Sequence, residues 1–220
     1  MANKVKPGPR RPYRSPVRTE AARRTREAIL SAATAEFLKH GYVGCSLADI
    51  AIAAGVSRPT VVSAFGSKPA LLARVLDEAL AGDDEPVPVR DRPWFQPVWQ
   101  ATTAADVLTA YARVCVIIGA RGGGVVEVVR RAAAAAPEVA DLWQTWLHGR
   151  RLGATMVVER EVVVGGLRPE LSVERAIDVL WALSDPDLYV SLVEQRGWSE
   201  GEFETWLADT MKRSLVAVVS

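Results

Sequence analysis

The chain has 220 residues, 49% of them hydrophobic, which is enough for one small domain and one helical core of ordinary size. Its two cysteines and two histidines lack metal-ligand spacing, which excludes a zinc site and a catalytic cysteine pair, and no apolar run reaches the ~18–20 residues of a membrane span. The net charge of +1 conceals an asymmetry, since residues 1–26 carry nine basic side chains against one acidic side chain.

The first segment, residues 1–18, is predicted to be a disordered basic arm, because it combines four prolines with few apolar side chains. A strongly basic segment on an otherwise acidic chain favours a nucleic-acid partner. The arm could follow a DNA backbone or enter a minor groove; the alternative is a solubilising tail. This segment lacks the pattern of a secretory signal, since no apolar core follows its charged residues.

The next segment, 19–40, is predicted to be one helix that ends at Gly41. Apolar residues recur along it at helical spacing. Its first turns carry three arginines, whose charge opposes the helix dipole and therefore indicates a compensating anion, with DNA phosphate as the candidate. These arginines are Arg23, Arg24 and Arg26.

Residues 46–65 predict two short helices joined by a tight turn at Gly55, the geometry that places a second helix in the major groove of DNA. Ser46 and Ser57 stand where N-caps are expected, and Pro59 falls in the first turn of the second helix, where its missing N–H costs nothing. An ordinary helical hairpin has the same spacing and is the alternative. The side chains predicted to meet DNA from the second helix are Arg58, Pro59, Thr60, Val62 and Ser63.

A further helix is predicted over 69–81, with Ser67 as its N-cap. Helix N-termini bind phosphate readily, and Lys68 adds a positive charge at that point. Lys68 and Ser46 are therefore expected to contact the DNA backbone, together with the three arginines of the first helix.

The residues of this N-terminal part together resemble the DNA-binding domain of the TetR family of transcriptional repressors. The resemblance covers residues 23–83, and it rests on Thr25, Ile29, Leu30, Ala33, Phe37, Gly41, Tyr42, Ser46, Leu47, Ile50, Ala51, Gly55, Val56, Ser57, Thr60, Phe65, Ser67, Lys68, Leu71 and Leu72. It implies that Thr60 contacts phosphate or a base and that Ser46 and Lys68 contact phosphate. The family usually has tyrosine where this chain has Val62, and often an aromatic residue or histidine at Ala64. Arg58 is therefore expected to carry more of the base recognition.

The remainder of the chain is predicted to be a connector at 84–101 followed by helices. The connector is rich in proline and too aromatic for a plain solvated linker. A helix over 103–121 is expected to stop at the triple glycine 122–124, and a short helix to follow over 125–136. Further helices are predicted from Pro137 to 165–166, over 172–195 with a bend at Pro186, and over 199–218.

The last two predicted helices carry broad apolar stripes. The resemblance implies that they pair with their copies in a second chain as a four-helix bundle; the alternative is that they fill the core of the monomer. The residues assigned to the dimer interface are Ile177, Leu180, Trp181, Phe203, Trp206, Leu207, Met211 and Leu215.

All seven tryptophans lie after residue 90, which is compatible with an apolar effector cavity in the second half of the chain. Aromatic residues at helical spacing are more often core than cavity wall, and that alternative stays open. The candidate cavity residues are Trp99, Tyr111, Cys115, Trp143, Trp146, Met156 and Trp181.

The sequence thus predicts an all-α protein with a helix-turn-helix DNA-binding domain at 19–83 and a larger helical effector-binding and dimerisation domain at 102–220. The expected function is that of a cytoplasmic, ligand-responsive regulator, most simply a repressor, that binds a palindromic operator as a homodimer and is released by a small apolar effector. No enzymatic activity, cofactor, metal or membrane partner is expected. The alternatives are a helical small-molecule-binding protein or enzyme with an incidental basic arm, and a sequence-indifferent DNA binder.

Overall fold

The computed structural model describes residues 16–217, which form ten α-helices. The predicted arm therefore lies outside the described residues except for its last three positions, as do the last three residues of the chain. The first four helices form the head, residues 16–81. They are α1 (Pro16–His40), α2 (Leu47–Ala53), α3 (Arg58–Phe65) and α4 (Lys68–Ala81).

Each short helix of the head begins at a serine that caps it. The side chains of Ser46, Ser57 and Ser67 accept hydrogen bonds from backbone N–H groups in the first turns of α2, α3 and α4. Such a cap satisfies a donor that the helix itself leaves unpaired. The helix starts predicted from these serines are confirmed.

The body, residues 96–217, contains the remaining helices: α5 (Gln96–Gln100), α6 (Ala104–Ala135), α7 (Ala140–Val164), α8 (Val173–Leu183), α9 (Pro186–Tyr189) and α10 (Glu200–Leu215). A π-helical stretch, Val190–Gln195, continues from α9. The long helix α6 is central, because α4, α7, α9 and α10 all pack against it.

The predicted connector is folded around a buried arginine. Arg92 donates to both carboxylate oxygens of Asp83, at 2.7 and 2.6 Å, and to the carbonyl oxygens of Val87 and Glu85, each at 3.0 Å. These contacts satisfy a guanidinium group that would be costly to bury alone. A 3₁₀ turn (Val89–Asp91) and α5 complete the segment.

The prediction that the triple glycine ends a helix is wrong, because α6 runs through it without a break. Gly123 of this run, and Gly119 about one turn before it, allow close packing instead. A Cβ atom at Gly119 would lie 2.5 Å from Cγ of Tyr189, and one at Gly123 would lie 2.7 Å from Cγ2 of Val190. Glycine at these positions lets the π-helical segment and its preceding turn approach the α6 backbone, which offsets the cost of glycine inside a helix.

Replacing Gly119 with alanine is expected to lower the free energy of unfolding by about 1–3 kcal/mol, because the new methyl group overlaps the fixed stem of Tyr189. Gly149→Ala is the matched control, since nothing lies within 4 Å of a Cβ at that helical position. In this control, the free energy of unfolding should rise by up to about 1 kcal/mol, because alanine has a higher helix propensity than glycine. Urea unfolding of both variants measures the difference, and equal stabilities would contradict the packing role of Gly119.

The segment predicted as one bent helix over 172–195 is two helices. The first ends at Leu183, and the carboxylate of Asp185 accepts a hydrogen bond from the Asp187 N–H at 3.0 Å to begin the second. Pro186, predicted to bend the helix, instead occupies the first turn after the cap, where proline is favoured.

Two clusters of buried side chains hold the structure together. One lies within the body. The other fills the head, around Ile29 and Phe37, but also includes Val129 and Ala132 of α6 and Val139 of the turn before α7. The core of the head is thus completed by the α6–α7 corner of the body.

Most residues assigned to a dimer interface are buried inside the protomer, which corrects that part of the prediction. The apolar stripes of α8 and α10 fill the body core, because α10 packs against both α6 and α8. Trp181 and Trp206 are only half-buried. The buried residues are Ile177, Leu180, Phe203, Leu207, Met211 and Leu215.

Within residues 16–217, no single helix is both long and apolar enough to cross a bilayer. Taken together, α2 and α3 are long and apolar enough for a membrane span, but this is a statement of length and composition only, and the pair is bent.

Candidate nucleic-acid interface

The turn between α2 and α3 changes the direction of the chain by 106°. Gly55 makes this possible with a φ of +66°, a conformation that costs other residues free energy. The N–H of Val56 then bonds the carbonyl oxygen of Ala51 at 2.9 Å, which fixes the turn. The result is the angle between helices that a helix-turn-helix requires.

The helix α3 is held by one edge and presents the rest of its surface to solvent. Val61 and Phe65 are buried in the head, whereas the predicted base-contacting residues are mostly exposed. Thr60 is half-buried, and its Oγ1 lies 2.8 Å from Oγ of Ser57. The exposed residues are Arg58, Pro59, Val62 and Ser63.

Ser46 forms a complete capping box with Asp49. Its hydroxyl oxygen accepts from the Asp49 N–H at 3.2 Å, while the Asp49 carboxylate accepts from the Ser46 N–H at 2.9 Å. Hydrogen bonds from Ser46 hold the pKa of the Asp49 carboxyl below its usual range. Ser46 is exposed, so its predicted contact with phosphate would be made from a position fixed by the cap.

Lys68 begins α4 and stacks on Tyr42, with its Nζ 4.1 Å from the ring centroid. The Tyr42 hydroxyl donates to Oε1 of Glu138, in the turn before α7, at 3.2 Å. Burial and that carboxylate raise the pKa of Tyr42 to about 12. Lys68 is therefore positioned by an aromatic ring that is itself tied to the body.

Arg23 and Arg24 are exposed on α1, and both contact Glu20. Nη2 of Arg23 and Nε of Arg24 lie 2.9 and 3.0 Å from Glu20 Oε1, and Arg23 also pairs with Glu27. Hydrogen bonds from the two arginines lower the pKa of Glu20. In the unbound protein, the compensating anion that was expected to be DNA phosphate is therefore a neighbouring carboxylate.

Arg26 serves the packing of the head. Its Nη1 donates to the carbonyl oxygen of Ala64 at 2.6 Å, and its guanidinium lies 4.5 Å from the ring centroid of Phe65. It thereby ties α1 to the end of α3, a role that the sequence pattern did not indicate. Its predicted phosphate contact stays a prediction.

A partly open cavity of about 310 Å³, called the body cavity below, is lined by the body together with α4 and residues 89–95. Four of the seven predicted cavity residues line it: Tyr111, Cys115, Trp146 and Met156. The other three do not. Trp99 stacks on Phe95 with centroids 5.0 Å apart, Trp143 packs against the core of the head, and Trp181 lies beside Arg150.

Several cavity residues were missed from the sequence. Leu76 and Leu80 reach the cavity from α4, a helix that the sequence places in the DNA-binding domain. Arg150 and Asp185 are 35 residues apart and form an ion pair of 2.8 Å at the cavity wall. The sequence indicates a turn at Asp185 and Pro186, but it does not indicate that Asp185 pairs with Arg150 of α7.

The chain is similar to known proteins in sequence and in fold. Residues 29–75, which include the helix-turn-helix and Lys68, match the family model described as bacterial regulatory proteins, tetR family. The chain is 27% identical over 158 residues to the uncharacterised HTH-type transcriptional regulator YdeS of Bacillus subtilis, covering 71% of this chain and 74% of YdeS.

Solved structures share the fold over nearly the whole chain. A TetR transcriptional regulator from Chloroflexus aurantiacus has a TM-score of 0.67 and 20% identity, covering 90% of this chain and all of that one. NalD of Pseudomonas aeruginosa, the secondary repressor of the MexAB-OprM multidrug efflux pump, has a TM-score of 0.66 and 21% identity over 90% of this chain and all of its own. SmeT in complex with triclosan has a TM-score of 0.67 and 21% identity, with 88% and 92% of the two chains covered.

The head and its exposed second helix define a DNA-binding transcriptional regulator of the helix-turn-helix class. Through residues 29–75, the chain is similar to the TetR family of these regulators. Members of this family are transcriptional regulators and not enzymes.

Proposed function

We propose that this protein is a repressor that binds a palindromic operator as a homodimer and is released by a small apolar effector. The observation that carries the proposal is the exposed face of α3 behind a fixed 106° turn. A helix presented in this way fits the width of a major groove. The head, with its connection to α4, is the DNA-binding domain in this proposal, and the body is the effector-binding and dimerisation domain.

In this proposal the exposed residues of α3 meet base edges, and Arg58 carries most of the sequence recognition because Val62 has no hydrogen-bond donor. Phosphate contacts come from Ser46, Lys68 and the arginines of α1. These contacts fix the register of the protein on DNA without carrying sequence information.

The homodimer is proposed to form through the outward sides of α8 and α10, since their inward sides fill the body core. Val173 is 43% exposed, and Trp181 and Trp206 are half-buried, so apolar surface remains for a partner. A two-fold dimer doubles the contacts of one head and fits a palindromic site.

The effector is proposed to act through α4. Leu76, Asp77 and Leu80 of this helix line the cavity, while Lys68, at its other end, is the residue proposed to contact the DNA backbone. An effector that fills the cavity would favour one position of α4 over another. The effector lowers DNA affinity only if it binds one conformation more tightly than the other. The favoured conformation must be the one in which the spacing of the two heads does not fit DNA.

Thr60→Ala and Lys68→Ala are each expected to weaken operator binding about 10- to 100-fold, the usual effect of losing one base or phosphate contact on both halves of a site. Arg131→Ala is the matched control, because Arg131 lies in α6, outside both proposed interfaces, and pairs with Glu127. Fluorescence anisotropy with a labelled palindrome from beside the gene measures affinity. Dimer size and thermal unfolding should stay unchanged, and unaltered affinity in both variants would contradict the proposed interface.

A further inference from the structure

The polar side chains that line the body cavity differ in their exposure. Asp77 and Arg90, which also line the cavity, are exposed and paired with Arg74 and Asp91. They therefore belong to its solvent side. The walls are apolar and partly aromatic: Leu76, Leu80, Val89, Phe95, Ile118, Leu142, Trp146, Met156, Leu183, Tyr189, Phe203 and Leu207. Thr145 is also exposed. The other polar residues of the lining are buried or half-buried: Tyr111, Cys115, Arg150, Ser184 and Asp185.

Two of these residues are charged. The side chain of Arg150 is 6% exposed, and that of Asp185 is 39% exposed. Nη1 donates to Oδ2 of Asp185 at 2.8 Å, and Nη2 donates to the carbonyl oxygen of Trp181 at 2.6 Å. The guanidinium lies 6.0 and 5.1 Å from the ring centroids of Trp146 and Trp181, which hold its plane in place.

These two hydrogen bonds leave donors of Arg150 unused. A guanidinium has five N–H groups, and among the described residues only one bond from each Nη is made. The field of this group reaches across the cavity to α6. Burial raises the pKa of the Cys115 thiol to about 12, and Arg150 opposes that rise.

The charge of Arg150 is already balanced. One oxygen of Asp185 pairs with Arg150, while the other accepts the Asp187 N–H that begins α9, so both oxygens are used. A second anion beside this pair would leave a net negative charge next to the buried guanidinium of Arg150, and a cation would face that guanidinium. Uncompensated buried charge is costly in either case. A neutral hydrogen-bond acceptor adds a contact without upsetting the balance.

We propose that the cavity takes a neutral, mainly apolar molecule that bears one hydrogen-bond acceptor, and that Arg150 donates to this acceptor. The inference rests on the proposed function, in which this cavity holds the effector. It restricts the effector to one chemical class, which excludes carboxylates and quaternary ammonium compounds of similar size.

Four naphthalene probes of matched size test the class: 2-acetylnaphthalene, 2-ethylnaphthalene, 2-naphthoate and 2-naphthyltrimethylammonium. Each is titrated into the purified full chain without DNA, by isothermal titration calorimetry. The ketone should bind about 10-fold more tightly than the ethyl compound, since it adds one hydrogen bond to a charged donor. Both charged probes should bind more weakly than the ketone.

Arg150→Lys then tests the residue. Lysine keeps a charge for Asp185 but lacks the planar fork, so the preference for the ketone over the ethyl compound should fall to less than about 3-fold. Arg151→Lys is the matched control, because the neighbouring Arg151 points away to Asp178, at 2.7 Å, and to Glu174. It should keep the preference of the unmodified protein.

The proposal is overturned if either charged probe binds more tightly than the ketone, if the ketone and ethyl compound bind equally to the unmodified protein, or if none of the four binds. It is also overturned if Arg150→Lys keeps the full preference. Should Arg150→Lys fail to fold, the comparison of the four probes on the unmodified protein still decides. No DNA is present in these titrations, so failure of operator binding would be recognised separately.

Discussion

Raising the NaCl concentration from about 50 to about 200 mM is expected to weaken operator binding roughly 1,000-fold. Lys68, Arg23 and Arg24 lie on each head outside the buried core, so a dimer would place six cations against phosphates. Each neutralised phosphate releases condensed counterions, and added salt opposes that release. In the unbound protein Glu20 neutralises part of this charge, which makes six an upper count for these residues.

The contribution of Lys68 to the salt dependence of operator binding can be measured by repeating the salt titration with the Lys68→Gln variant. The slope of log affinity against log salt should become shallower by about 2, one counterion for each half-site. Arg131→Gln, in α6, should keep the original slope. Fluorescence anisotropy supplies both slopes, and binding that is indifferent to salt would refute the proposed phosphate contacts. A random duplex bound as tightly as the palindrome would refute operator specificity.

Glu161→Gln is expected to stabilise the protein at alkaline pH much more than at acid pH. Glu161 is fully buried in α7, and neither carboxylate oxygen has a hydrogen-bond partner among the described residues. Burial raises the pKa of this carboxyl from an ordinary value of 4.5 to about 8. The folded state therefore retains the proton at pH values where the unfolded chain has lost it, and the free energy of unfolding falls as pH rises from about 4.5 to about 8.

Between about pH 5.5 and about pH 8, this single group should cost the unmodified protein about 3 kcal/mol that the glutamine variant does not lose. Urea unfolding at the two pH values measures it. Glu159→Gln is the control, since Glu159 is exposed two residues earlier in the same helix. Parallel pH profiles for the unmodified protein and Glu161→Gln would show that the carboxyl is solvated or paired.

The head could be predicted from sequence because its structure is encoded locally. Ser46, Ser57 and Ser67 cap helices that begin one residue later, and Gly55 takes the positive φ that its turn requires. In each case the cause and its effect lie within a few residues. The angle between α2 and α3 follows from these local choices.

The body could be predicted only as helical, because its details depend on residues distant in sequence. Gly119 and Gly123 are explained by Tyr189 and Val190, about 70 residues later, and no local rule distinguishes such glycines from helix ends. An apolar stripe likewise shows that a helix must be covered but not by what. For α10 the cover is α6 and α8 of the same chain.

The core of the head is completed by the α6–α7 corner, through Val129, Ala132 and Val139. A fragment ending after α4 would therefore lack part of the buried cluster that fills the head. Separate melting of the two parts is not expected, because each supplies buried area that the other needs. Grafting this head onto the body of another regulator would succeed only if the graft also carried the corner that seals it.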